Sequence, residues 1–190
     1  MDELQTLLLE LDKLKAIYRR SYLSDRSRKE NSAEHSWHLA IALLAVKDIL
    51  PADIRLDHAI RMALVHDVCE IGAGDISVYD DARSQKTVEE SAYITKFAAQ
   101  FGSFGEEVAE LWQEFEDQKT KESVWVKVVD RLLPILLNLA TEGLTWRDGS
   151  ISRSQVLSAN RVIFETSPEL GKWLLQEIDI AVQNCWLEKN

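Results

Sequence analysis

Residues 63–75 read ALVHDVCEIGAGD, and the fold turns on how this stretch is read. Ala59/Ile60 and Ala63/Leu64 recur at helical spacing and mark a face that belongs in a core. The next step along that stripe is His66/Asp67, followed by Glu70/Ile71. Polar groups of this kind do not enter a core without a partner, because an isolated buried charge is either costly or neutralised. Gly72 and Gly74 read as the stop of this helix, and Asp75 lies just past them.

Two further stripes behave in the same way. Val46, Ala42/Leu43 and Leu39 lead back to His35, and Val126, Val129, Leu133 and Leu137 surround Asp130. Any one of these polar residues alone is most simply a hydrogen-bonded core group. Two imidazoles and two carboxylates converging from three stripes point instead to a divalent transition ion such as Mn, Co, Fe, Ni or Zn. Four protein ligands of this type leave positions open for water and substrate, which a catalytic metal requires.

Apolar positions recur every three or four residues almost everywhere, with no sustained two-residue alternation, so the expected fold is all-α. Helices are predicted from about Glu3 to Tyr22, Ala33 to Leu50, Ala52 to Ile71, Thr87 to Phe101, Gly105 to Gln118, Lys121 to Glu142, Arg153 to Thr166 and Pro168 to Leu187. Asn31 with Glu34 forms a capping-box signature, and Ser167-Pro168 reads as an N-cap followed by proline at the first helical position. The aperiodic stretch 77–86, SVYDDARSQK, reads as a loop. A single domain over 1–190 is expected, its metal-site core at about 14–138, with C-terminal helices at about 150–190 packing on it.

Hydrophobic residues at 46% and charged residues at 28% are ordinary globular values and argue against disorder and coiled coil. A net charge of -10 disfavours a duplex-binding surface, so an anionic substrate needs local cations or a metal. The N-terminal MDELQTLLLELDKLK is acidic where a signal peptide is basic, and no apolar run approaches the roughly 18 residues of a membrane span. A soluble cytoplasmic protein is expected. Cys69 and Cys185 are too few and too far apart for a disulfide framework. Six Trp residues and amphipathic outer helices permit a homodimer.

The stretches RKENSAEHSWHLA (28–40), ALVHDVCEIGAGD (63–75) and KVVDRL (127–132) together resemble the HD-domain metal-dependent phosphohydrolases, whose signature is His … His-Asp … Asp. Within that superfamily the chain is similar, from about Leu14 to Asn138, to the branch that contains bacterial HD-domain 5′-deoxynucleotidases. The resemblance implies an HD-domain helical bundle with a buried single-metal site, the ligands being His35, His66, Asp67 and Asp130. It also implies that Glu70 and Asp75 take part in catalysis and that an arginine of the first helix, by position Arg20, binds phosphate. The nucleotidases follow that arginine with a tryptophan, whereas this chain has Ser21.

The expected reaction is hydrolysis of a phosphate monoester, best matched by a (deoxy)nucleoside 5′-monophosphate. Glu70 lies one turn after His66 and is placed to orient or deprotonate water, while Asp75 is placed to serve the leaving oxygen. Lys127 and Arg131 flank Asp130 as secondary phosphate-binding candidates. Plainer readings stand beside these: Arg20 as one of several solvated arginines, Glu34 as a cap, and Asp57-His58 as a solvated pair on the opposite helix face. Alternatives for the whole chain are another HD-type activity, on cyclic phosphodiesters or nucleoside triphosphates, and a non-catalytic module that binds metal or nucleotide.

Overall fold

A computed structural model describes residues 1–79 and 83–190. In chain order the elements are α1 (Asp2–Asp12), β1 (Tyr18–Tyr22), β2 (Lys29–Asn31), α2 (Ser32–Ala45), α3 (Leu56–Val65), α4 (Glu70–Ala73), α5 (Arg83–Asp117), α6 (Lys121–Ala140), α7 (Leu144–Asp148), α8 (Arg153–Ala159), α9 (Arg161–Thr166) and α10 (Pro168–Gln183). Among the described residues the fold is all-α apart from the two-stranded sheet of β1 and β2. None of the described helices is long and apolar enough to cross a membrane.

The sheet corrects the first predicted helix. That helix stops at Asp12, passes through a 3-10 turn at Lys13–Ala16 and becomes the extended β1. Tyr-Arg-Arg-Ser-Tyr has aromatic ends that suit a strand, and pairing with β2 supplies hydrogen bonds that a helical reading cannot foresee. The predicted loop at 77–86 falls partly on residues 80–82, outside the described residues, and α5 is already helical from Arg83.

The chain divides into two compact units, residues 1–19 with 31–126 and residues 20–30 with 127–190. In the first, α2 lies against α3, with Leu39, Leu43, Ala59, Met62 and Ala63 fully enclosed. A second cluster gathers Val68, Cys69, Ile94, Phe97, Val108 and Trp112, and Leu7 and Leu11 of α1 pack on it. Burial on this scale is the main stabilising contribution, at about 1.5–3 kcal/mol per large apolar side chain. The two helices predicted at 87–101 and 105–118 correspond to the two arms of α5, which break at Phe101 and Gly102. His58 is not solvated as expected: its Nε2 lies 2.7 Å from Glu114 Oε2, and the Thr120 hydroxyl donates to the other Glu114 oxygen at 2.6 Å.

In the second unit, Trp146, Val156, Ile163, Leu174 and Ile178 form the enclosed core. The helix predicted over 153–166 is divided at Asn160, whose side-chain amide donates to the Val156 carbonyl at 2.7 Å. Such a side-chain bond competes with the backbone ladder and favours a break. The Ser167 cap and Pro168 start of α10 are as predicted.

Candidate active site

His35, His66, Asp67 and Glu70 are all buried, as the apolar stripes require. The predicted capping box sets the first of them: Asn31 accepts from the Glu34 amide and Glu34 accepts from the Asn31 amide, so α2 begins at Ser32 and turns His35 inward. The second group does not sit on one continuous helix. α3 ends at Val65, and the backbone then tightens, with Val68 donating to Val65, Glu70 to Asp67 and Ile71 to Val68. These i to i-3 bonds are 3-10 geometry, which eclipses residues three apart and stacks Asp67 and Glu70 on one side.

His66 reports what the site is built to hold. Its Nδ1 lies 2.8 Å from the Ala63 carbonyl oxygen, which accepts, so Nδ1 carries the proton. In a neutral ring the lone pair is then on Nε2, and Nε2 faces Asp67 Oδ1 at 3.1 Å. Two acceptors at that separation repel unless a proton or a cation lies between them. The His35 and His66 rings are 5.5 Å apart between centroids, and a ligand nitrogen of one lies within 4.8 Å of a ligand nitrogen of the other. Two imidazoles and a carboxylate, enclosed and with this tautomer, fit a divalent transition ion.

The surrounding charges fit it too. Arg19 Nη1 donates to Asp67 Oδ2 at 2.9 Å and lies 3.9 Å from Asp75 Oδ1. Glu70 receives the Ser32 hydroxyl on Oε2 at 2.5 Å and has Lys86 Nζ 3.6 Å from Oε1, and Lys86 pairs in turn with Glu90 at 3.2 Å. Arg19 thus stands between Asp67 and Asp75, and Lys86 between Glu70 and Glu90, so the carboxylates crowd together around two buried cations. Burial, with the Asp67 charge added, pushes the Glu70 carboxyl well above its usual range, and Arg19 opposes the rise. Burial works against the Lys86 ammonium, but Glu70 and Glu90 hold its pKa above the usual lysine value.

Two glycines shape the turn after Glu70. Gly72 is seated under the Tyr93 ring, where an added Cβ would come within 2.2 Å of Tyr93 Cδ2. Gly74 has φ +74, a conformation that side chains rarely adopt, and it swings Asp75 back to Arg19. The predicted helix stop holds at Gly74, which caps α4, but the helix it ends is the short Glu70–Ala73 rather than a continuation of α3, and Gly72 lies inside that turn, where it serves close packing.

Arg20 and Arg19 occupy different faces of β1. Along Tyr18–Tyr22 the burial alternates, with Arg19 and Ser21 on the enclosed side and Arg20 exposed. A strand places neighbours on opposite faces, so the change from helix to strand decides which arginine meets the carboxylates. Asp130 belongs to the second unit, buried on α6, with Lys127 Nζ 3.6 Å and Arg131 Nε 3.8 Å from its Oδ2. Sequence reasoning missed Arg19, Ser32, Lys86 and Glu90 as members of the site. The i, i+4 spacing of Lys86 and Glu90 is an available signal for a pair, though not for its burial.

Comparison with known proteins gives the family of the chain. The family model described as HD domain matches residues 11–171, which takes in parts of both units. The 5′-deoxynucleotidase HDDC2 of Xenopus laevis is 32% identical over 143 residues, covering 73% of this chain and 69% of that protein. The human 5′-deoxynucleotidase HDDC2 is 29% identical over 65% of this chain and 60% of its own length. A crystal structure from Magnetospirillum magnetotacticum, of a protein named as a predicted metal-dependent phosphohydrolase, superposes with a TM-score of 0.91 at 33% identity, covering 98% of this chain and 95% of that one.

Proposed function

This chain belongs to the HD-domain family, and from that premise we propose that it is a metal-dependent phosphohydrolase that cleaves a phosphate monoester, a (deoxy)nucleoside 5′-monophosphate for preference. The observation that carries the reading is the His66 tautomer, in which Nδ1 donates to the Ala63 carbonyl and the lone pair of Nε2 is directed at Asp67 across 3.1 Å. The names of the curated relatives support the substrate class.

The proposed ligands are His35, His66, Asp67 and Asp130. A divalent ion held there would act as a Lewis acid and lower the pKa of a bound water toward neutrality. The Glu70 carboxylate, fixed by Ser32, accepts the proton of the attacking water. Asp75, held beside Arg19 by the Gly74 turn, serves the leaving oxygen. Arg19 takes the phosphate-orienting part expected of Arg20, since a planar guanidinium suits paired oxygens and Arg19 lies among the carboxylates. Lys127 and Arg131 beside Asp130 add positive charge in a chain of net charge -10.

The test is phosphate release from deoxyribo- and ribonucleoside 5′-monophosphates and p-nitrophenyl phosphate. It uses chelated protein reloaded with Mn, Co, Fe, Ni or Zn, with Asp67→Ala alongside. Turnover that needs the metal and disappears in Asp67→Ala is expected. Bound metal with no turnover of any phosphate compound would favour the binding-module alternative. We further propose a cytoplasmic homodimer, supported by the acidic composition and by the exposed Trp37, Ile41 and Leu44 at helical spacing on α2. Fractionation and sedimentation equilibrium test the two parts.

A further inference from the structure

We infer that Lys86 is a positioning residue for Glu70, and that Glu70 Oε1 is the oxygen that works on water. This inference rests on the hydrolase reading above. The two oxygens of Glu70 are treated differently. Oε2 takes the Ser32 hydroxyl at 2.5 Å, a direct and short bond from the first residue of α2. Oε1 faces the Lys86 ammonium at 3.6 Å, beyond the range of a direct hydrogen bond. Lys86 is instead anchored one helical turn along α5, to Glu90 Oε1 at 3.2 Å.

The difference has a chemical consequence. A lysine bonded directly to Oε1 would occupy the lone pairs that a base needs, whereas a lysine held back by Glu90 acts on that oxygen through charge alone. Oε1 therefore keeps room to accept from a water while its orientation is fixed from the other side by Ser32. Enclosure strengthens the effect, because Lys86 is only 8% exposed and Glu70 4%. A buried lysine needs partners, and here its own helix supplies one while α4 supplies the other. Glu90 is thus the anchor, Lys86 the charge, Ser32 the hinge and Glu70 the group they position.

The experiment uses the full chain loaded with manganese and steady-state hydrolysis of deoxyadenosine 5′-monophosphate. Lys86→Met is expected to lower kcat by about 10- to 100-fold, with KM within about twofold, because correct placement of a general base is a transition-state effect. Lys86→Arg should recover most of the loss. Glu70→Gln combined with Lys86→Met should be no slower than Glu70→Gln alone, since residues that act as a unit do not add. A KM at least about tenfold higher in Lys86→Met, persisting in the Glu70→Gln background, would make Lys86 a phosphate ligand and overturn the inference. Urea midpoints of the wild type, Lys86→Met, Glu70→Gln and the double variant give a readout that needs no turnover. Additive shifts would show that the pair does not form, and so also overturn it. Coupled midpoints with no hydrolysis by the wild type would sink the hydrolase reading while upholding the Lys86–Glu70 pairing.

Discussion

Replacing Gly72 by alanine tests how tightly α4 is seated. An alanine Cβ would lie 2.2 Å from Tyr93 Cδ2, 2.7 Å from Cγ and 2.9 Å from Cβ of the same residue. Carbon atoms rest at about 3.5–4.0 Å, so the ring must retreat by roughly 1.3–1.8 Å. It is not free to do so cheaply, because its hydroxyl donates to Glu10 at 2.8 Å and its face meets Phe97 at 6.1 Å between centroids. Overpacking of this kind costs about 1–3 kcal/mol, and loss of the partly exposed Tyr93–Glu10 bond adds up to ~1 kcal/mol. The helical preference of alanine over glycine returns at most ~1 kcal/mol, less in a single turn. The net expectation is a loss of about 1–3 kcal/mol, read as a lower urea midpoint at unchanged slope. Activity should fall as well, since Glu70 is two residues away. Tyr93→Ala in the Gly72→Ala background should relieve the clash, giving a coupling of about 1–3 kcal/mol in the double-mutant cycle. An unchanged midpoint in Gly72→Ala, or an additive cycle, would refute the claim that the ring is seated on Gly72.

Other expectations follow from the same geometry. Arg19→Met should lower kcat/KM by about 100-fold while Arg20→Met changes it by less than about threefold; equal effects in the two variants would sink the strand phase of β1. Stripping the metal with a chelator should lower Tm by roughly 5–10 °C, the equivalent of losing about 2.7 kcal/mol of ligand linkage at a hundredfold excess over Kd. Readdition of Mn should restore it, and a Tm indifferent to chelation would argue against a resident ion. Burial alone would raise the Glu122 carboxyl, but the Arg55 backbone amide at 2.9 Å and the Arg55 guanidinium hold it below its ordinary value of 4.5. A depressed carboxyl contributes stability that is present above the ordinary value and is lost as pH falls through the folded one. Glu122→Gln should therefore cost about 1 kcal/mol at neutral pH, as loss of a helix cap does, and the difference from wild type should shrink below pH 4.5. Denaturation midpoints across pH measure this, and a gap that widens in acid would contradict it.

Burial was legible wherever a helical stripe ran on into a polar residue. His35, His66, Asp67, Glu70 and Asp130 are all enclosed, because apolar neighbours three and four residues away oblige it. The caps at Asn31 and Ser167 were legible because their bonds are local. What escaped depended on contacts distant in sequence. β1 exists by pairing with β2, and the Arg19–Asp67 bond joins residues separated by 48 positions. Lys86 looks like a surface lysine beside a glutamate until α4 lies against α5. The 3-10 tightening after Val65 was hidden for another reason: its residues, from His66 to Cys69, fit a helical pattern equally well.

Ser21 acquires a purpose from the alternation in β1. A strand that slips by one residue turns every side chain to the other face, and a slip in one direction would move Arg20 into the place of Arg19. With arginine at both positions, charge alone does not distinguish the two registers. Size does: the same slip would drive the Tyr22 ring into the enclosed place of Ser21, which is 7% exposed. The small serine thus makes the wrong pairing a steric error that folding can reject, and proofreads which of two identical cations faces the carboxylates.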